Sequence, residues 1–216
     1  MLGVTNGLTK RLRSVFRYVR TAIGYYIGTK AERLVMERDD GLQGTSHMLF
    51  PLAVHVFETR GWGFEKPAFM KSVEYDSRLG EDLWTDYHDN GTIGTFLWPW
   101  IHENIAGFIT DMKLSIEPKD IWVQRYFNGA GMPMHRHHHR GWSGVFYADF
   151  DEKQHMATTF QRPHLDPMDE FNKDDLFSVP VKEGEVLVFP SWMSHCVLPN
   201  KAKDPRTIVS FNLVYE

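Results

Sequence analysis

Residues 132–150 read MPMHRHHHRGWSGVFYADF, and four of the chain's eleven histidines fall within the first eight of them. His135 and His137 stand as HxH. Two residues apart on a strand, their side chains project to the same face, because strand side chains alternate with period two. A second segment, residues 184–200, reads GEVLVFPSWMSHCVLPN and brings in His195, sixty residues after His135. A third imidazole from another strand completes a three-point grip on a metal ion. Three nitrogen ligands on one side of an octahedral ion leave positions for oxygen and a chelating molecule, as in non-haem iron sites. The pattern points to a metal-dependent oxygenase.

Working outward, the chain beyond Pro118 reads as short strands at 121–127, 133–138, 142–150, 156–160, 176–180, 185–189, 194–198 and 206–215. Eight strands so spaced predict a mainly β fold with flanking helices, a double-stranded β-helix of the jelly-roll, cupin-like kind. The longest interruption, residues 161–175 (QRPHLDPMDEFNKDD), is polar and broken by Pro163 and Pro167. A long loop between the two halves of a barrel is a candidate lid, and Leu165, Met168 and Phe171 are the apolar residues it would fold inward.

Three stretches carry a resemblance. Residues 121–147 (IWVQRYFNGAGMPMHRHHHRGWSGVFY), 184–195 (GEVLVFPSWMSH) and 206–212 (RTIVSFN) together resemble the 2-oxoglutarate/Fe(II)-dependent oxygenase superfamily, in its prolyl-hydroxylase-like bacterial and phage branch. The resemblance implies that His135 and His195 are iron ligands and that His137 occupies the place where most members carry an aspartate. It implies that Arg206, eleven residues after His195, pairs with the distal carboxylate of 2-oxoglutarate. A guanidinium fork suits that task because it donates two parallel hydrogen bonds. Tyr126 lies where related enzymes add a phenol to the same carboxylate, and Asn212 lies on the arginine's face of the last strand. The implied activity couples oxidative decarboxylation of 2-oxoglutarate by Fe(II) and O2 to hydroxylation of a protein side chain or small molecule.

Two other readings are open at this stage. A three-histidine cupin dioxygenase would need no oxo-acid; Gly129, Gly184 and Pro190 suit it, while the glutamate that cupins carry after HxH is missing and Arg206 has no task. A non-catalytic jelly-roll module could hold zinc or nickel, but closed structural zinc sites usually use cysteine. The single cysteine, Cys196, excludes an intramolecular disulfide and suggests a reducing, cytoplasmic setting. A net charge of −4 gives no overall pull toward nucleic acid. The length suits one domain over 1–216, with a basic helical extension (1–46), supporting strand and helices (47–120) and the β-helix core (121–215).

Upstream, the first acidic residue is Glu32, whereas Lys10, Arg11, Arg13, Arg17, Arg20 and Lys30 are basic. Leu8, Leu12, Val15, Phe16, Val19 and Ile23 fall at helical spacing. Such a helix could touch an anionic membrane, but packing on its own sheet is the ordinary use of an amphipathic helix. Residues 48–57 read as a strand with a proline at its edge or start. After Pro99, residues Ile101, Ile105, Phe108, Ile109 and Met112 form one helical face. The other histidines are given no metal: at most one of His138 and His139 can share the face of the HxH pair, and His155 and His164 read as solvent-exposed. His47, His55, His88 and His102 lack a partner pattern. Trp142, Trp192, Tyr147, Phe189 and Cys196 read first as packing residues.

Overall fold

A computed structural model describes residues 17–21, 33–37, 43–49, 52–74, 82–89, 91–137, 140–162 and 176–216. The strands are β1 (Arg17–Thr21), β2 (Arg33–Glu37), β3 (Gln43–Leu49), β4 (Leu52–Glu58), β5 (Leu83–Thr85), β6 (Asp120–Tyr126), β7 (Met132–His135), β8 (Trp142–Asp149), β9 (Thr159–Gln161), β10 (Leu176–Ser178), β11 (Glu185–Pro190), β12 (His195–Val197) and β13 (Arg206–Leu213). Two helices, α1 (Trp62–Glu74) and α2 (Thr92–Asp111), lie between β4 and β6 in the chain. The larger sheet runs β1-β2-β3-β4-β11-β8-β13-β6-β5 and the smaller β10-β9-β12-β7, every neighbouring pair antiparallel. This is the two-sheet, double-stranded β-helix architecture that the strand spacing predicts.

From β4 to β6 the larger sheet is largely apolar on both faces, and its residues sort by parity. On β13, Val209, Phe211 and Leu213 pack toward the helices, whereas Ile208 packs into the space between the sheets. Likewise Phe146, Ala148, Val186 and Val188 belong to the helix-side core, and Val145, Tyr147, Leu187 and Phe189 to the barrel interior. Burial on both faces explains why these strands read as continuous apolar runs. Arg206, Ser210 and Asn212 share the parity of Ile208, so the inward face of this strand carries three polar side chains and the helix-side face one, Thr207.

On the helix side, α2 buries Leu97, Trp98, Ile101, Ile105, Phe108 and Ile109 along one stripe, and Trp98 meets Phe211 edge-on at 5.3 Å. Trp62 of α1 meets Phe146 at 4.6 Å. Gly144 of the SGVFY motif has a packing reason: a Cβ there would come within 2.0 Å of the ring of Phe211, its register partner on β13. The aromatic ring fills the place of the missing side chain.

Several expectations need correction. α2 begins at Thr92 and runs through Pro99 rather than starting after it. Its cap is remote in sequence: Asp86 Oδ2 accepts from the Ile93 and Gly94 amides at 2.9 and 3.2 Å. The other oxygen, Oδ1, accepts from Val123 N at 2.6 Å and so ties the helix start to β6. The helix expected over 8–23 lies mostly outside the described residues; where they resume, Arg17–Thr21 is a strand paired with Arg33–Glu37. Tyr, Val and Thr within that pentapeptide favour extended backbone. The 48–57 strand is two strands, β3 ending at Leu49 and β4 starting at Leu52, after Pro51. The proposed lid beyond Arg162, with His164, Leu165, Met168 and Phe171, lies outside the described residues, as do His138 and His139.

Asp86 is buried, and burial raises its carboxyl above the usual range while its three amide donors oppose that shift. Asp86→Ala strands those three backbone donors and should lower stability by about 2–4 kcal/mol. Asp86→Asn, which keeps one acceptor oxygen, should lose less. Urea midpoints measure both; an Ala variant within 0.5 kcal/mol of the parent protein, roughly the range of a neutral surface change, would refute the link.

Candidate metal centre

The antiparallel register of β12 with β7 sets His195 directly opposite His135. His137 lies two residues past the end of β7, because β12 begins at His195 and no strand opposes it there. Its backbone N–H bonds instead to Ser191 O, 2.9 Å away in the turn after β11. The strand expected over 133–138 is therefore shorter, yet HxH still delivers both rings to one place. Ring centroids are 4.3 Å apart for His135–His195, 5.1 Å for His137–His195 and 5.2 Å for His135–His137. One nitrogen from each ring lies within 4.8 Å of the others, and this is the metal-capable group found among the described residues.

Each ring is held through Nδ1. His135 Nδ1 donates to Pro133 O and His195 Nδ1 to Met193 O, both at 2.8 Å and both two residues earlier in the chain. With the proton on Nδ1, the lone pair sits on Nε2, the form in which imidazole binds a metal. His137 Nδ1 meets Asn212 Oδ1 at 2.6 Å and Ser143 Oγ at 3.3 Å. The donor set suits a borderline divalent ion such as iron(II), for which imidazole is an ordinary ligand.

Arg206 opens β13 on the inward face and is 1% exposed. Its Nη1 donates to Met156 O at 2.6 Å, while Nε and Nη2 have no partner among the described residues. Its guanidinium carbon lies 5.2 Å from the Tyr126 ring centroid, 5.7 Å from that of Tyr147 and 6.0 Å from that of Phe150. Burial pulls its pKa down, against the two phenols. A buried cation with unmet donors is a seat for an anion, since desolvating a charge without a partner is strongly unfavourable. Arg206 does not itself line the cavity, but its neighbour Tyr126 does. The Tyr126 phenol is pushed up to about 12 by burial, with Arg206 opposing, so it stays a proton donor at neutral pH.

Asn212 is placed differently from the sequence expectation. It shares the inward face with Arg206, but six residues of extended strand separate the two Cα atoms by roughly 20 Å. That is too far for both to hold one carboxylate, and the Asn212 amide is instead engaged with His137, Ser143 and Asp120. Period-two reasoning gives the face of a strand residue and says nothing of its neighbour along the barrel axis.

Between the sheets lies a cavity of about 590 Å³ that reaches all three histidines, Tyr126 and Asn212. Its wall includes Trp122, Gln124 and Ser210, and Tyr87, His88, Lys119 and Arg136 stand at its exposed rim. Trp122 packs edge-on with Tyr87 at 5.3 Å and lies 5.8 Å from His137. Tyr87, Trp122 and His88 were given no site role in the sequence reading, which found no substrate motif in residues 61–120. His155, expected at the surface, is buried: Asp151 N donates to its Nδ1 at 2.9 Å, and its Nε2 lies 3.1 Å from Asp204 O. It clamps two loops and takes no part in the metal group. Trp142 packs on His55 and Phe108 away from the cavity, while Tyr147, Phe189 and Cys196 are buried as expected.

With this geometry in place, likeness to known proteins can be set beside it. Residues 120–212, nearly the whole span from β6 to β13, match the family described as putative 2OG-Fe(II) oxygenase. The matched segment carries His135, His137, His195 and Arg206. Among solved structures, HygX from Streptomyces hygroscopicus, with nickel, 2-oxoglutarate and hygromycin B bound, aligns over 75% of this chain and 82% of its own (TM-score 0.56, 11% identity). A prolyl hydroxylase from Trichoplax adhaerens, in complex with a hypoxia-inducible-factor peptide, aligns over 74% and 83% (TM-score 0.53, 11% identity). The non-haem α-ketoglutarate-dependent epimerase SnoN from nogalamycin biosynthesis aligns over 75% and 78% (TM-score 0.53, 15% identity). No curated protein sequence matches the chain. No helix among the described residues is long and apolar enough to cross a membrane.

Burial pushes the His195 imidazole down to about 3; the Met193 carbonyl opposes this, and His135 and His137 reinforce it. In the unfolded chain an imidazole binds its proton near 6.5. Between those values the unfolded state holds the extra proton, so metal-free stability rises with pH through this window and falls as pH drops from 6.5 toward 3. Urea midpoints of metal-free protein across pH 7 to 4 should therefore fall more steeply for the parent than for His195→Leu. Identical slopes would rule out His195 as a source of the acid sensitivity.

Proposed function

We propose that this protein is an iron(II)- and 2-oxoglutarate-dependent dioxygenase that hydroxylates a protein side chain or small molecule entering the cavity over Trp122 and Tyr87. The observation that carries the reading is the convergence of His135, His137 and His195, each ring oriented through Nδ1. These three would hold the iron, with His137 standing in the place usually taken by aspartate. Arg206, whose Nε and Nη2 have no partner among the described residues, would receive the distal carboxylate of 2-oxoglutarate, with the Tyr126 phenol as a second donor. When bound, iron(II) activates O2 as 2-oxoglutarate is decarboxylated to succinate, and one oxygen atom passes to a substrate C–H bond.

The chain's own residues do the rest. Phe160, Phe189, Met193 and Val197 wall the interior near His195 with apolar surface, which shields that ring from water. Trp122 offers a flat face beside His137 for an apolar part of the substrate, and Lys119, Arg136 and His88 at the rim can meet its polar groups. The cupin and binding-module readings leave the buried Arg206 without a task.

Anaerobic addition of iron(II) and 2-oxoglutarate should give a visible charge-transfer band that is lost in His135→Ala and His195→Ala. No band in the parent protein would overturn the assignment. Arg206→Ala should raise the 2-oxoglutarate requirement while leaving iron binding nearly intact, the loss being on the order of 2–5 kcal/mol, about 30-fold or more. Arg206→Lys should recover only part of it, because an ammonium cannot reproduce the fork. An unchanged requirement in Arg206→Ala, measured by succinate formation, would remove Arg206 from the site.

A further inference from the structure

His135 and His195 hold their own rings, each through a carbonyl two residues back. His137 Nδ1 reaches farther along the chain: it meets Asn212 Oδ1, 75 residues later on β13, at 2.6 Å, and Ser143 Oγ at 3.3 Å. That amide sits in a row of cross-strand neighbours, because Asn212 pairs in register with Asp120 on one side and with Ser143 on the other. The row is hydrogen-bonded throughout. Asn212 Nδ2 donates to Asp120 Oδ2 at 3.2 Å, and Ser143 Oγ donates to Asn212 Oδ1 at 2.8 Å. Ser143 and Asn212 are buried, with Asp120 at the cavity edge.

We infer that Asn212 is the positioning residue for His137, and that Asp120 fixes which way its amide faces. A carboxylate only accepts hydrogen bonds, so Asp120 takes the NH2 end of the amide. Oδ1 is then turned to the imidazole, and Ser143 donates to the same oxygen. An amide oxygen has no proton to give, so the ring nitrogen facing it must be N–H. The proton of His137 therefore sits on Nδ1 and the lone pair on Nε2. A flipped amide would present N–H to Nδ1, draw the proton to Nε2 and close that nitrogen to a metal. The row of Asp120, Asn212 and Ser143 thus writes the tautomer of the third histidine from outside its own strand. This deepens the proposed function, since it rests on His137 as a metal ligand, and it gives Asn212 a task other than binding 2-oxoglutarate.

Cobalt(II) titration followed by its visible ligand-field bands tests the coupling without turnover. Asn212→Ala should weaken cobalt binding about 10–100-fold, the usual effect of removing a partner of a ligating histidine. Added to His137→Ala, the same change should alter affinity less than twofold, because Asn212 acts through His137. Equal weakening in both backgrounds would mean a general loss of structure and overturn the inference. Imidazole ¹⁵N shifts in the metal-free protein read the tautomer directly. His137 should be the Nδ1–H form in the parent and a mixture in Asn212→Ala and in Asp120→Ala, the latter at the cavity edge and safer for folding. An unaltered Nδ1–H form in both variants would sink the inference. If the parent binds no cobalt, the metal assignment of the proposed function falls, and the tautomer in these variants still decides the role of Asn212.

Discussion

The register that sets His195 opposite His135 is the contact on which the rest of the site depends. A slip of one residue would turn Cys196 inward and carry the imidazole to the other face. Only short strands hold that register, so it must be fixed by what lies around it. Phe160 of β9 pairs with His195 from the other side, and its ring packs on Phe189 at 4.9 Å. Phe189 in turn lies 4.7 Å from the His195 ring. The small sheet is thereby keyed into the barrel core by aromatic contacts, and the backbone carbonyls of Pro133 and Met193 complete the fixing of the two rings.

Arg206 imposes the opposite demand. A guanidinium fully buried among Tyr126, Tyr147 and Phe150, with two nitrogens unpartnered among the described residues, opposes folding, because desolvation of the charge is only partly offset by the ring faces and Met156 O. A protein selected for stability alone would fill this place with an apolar side chain. Its retention fits a site that is completed when an anion arrives, and the binding of that anion would then stabilise the folded chain by mass action.

What was legible in the sequence follows from the range of each signal. Strand alternation is local, so the shared face of His135 and His137 could be read directly, whereas Arg206 and Tyr126 were reached only through the resemblance of their motifs. Elements fixed by distant partners could not be read in either way. α2 starts seven residues before Pro99 because Asp86 caps it from another segment, and no helical signal at Thr92 announces that. His155 looked like a loop residue because its partner at Asp204 is 49 residues away. Tyr87 and Trp122 form one wall of the cavity only after β5 and β6 pair. Asn212 was assigned to the right face and the wrong neighbour, since parity does not say how far along the strand a ligand reaches.

The third histidine changes the charge of the site, and the surroundings answer that change. On the proposed function, a divalent metal with three neutral imidazoles and the Arg206 cation together carry +3. An aspartate in the place of His137 would bring this to +2, which a dicarboxylate cosubstrate offsets in full. Here one positive charge is left over once such a diacid is bound. Asp120 lies two hydrogen bonds from His137, through the Asn212 amide, and is a negative charge within reach of that excess. Asn212 and Ser143 between them are buried, whereas Asp120 itself stands at the cavity edge, where solvent weakens its field. The carboxylate is thus withdrawn from the metal's own shell while its control of the amide remains. On the proposed function such a site lacks a direct anionic bond and has instead a neutral third ligand, held through Asn212 by a strand paired on both sides.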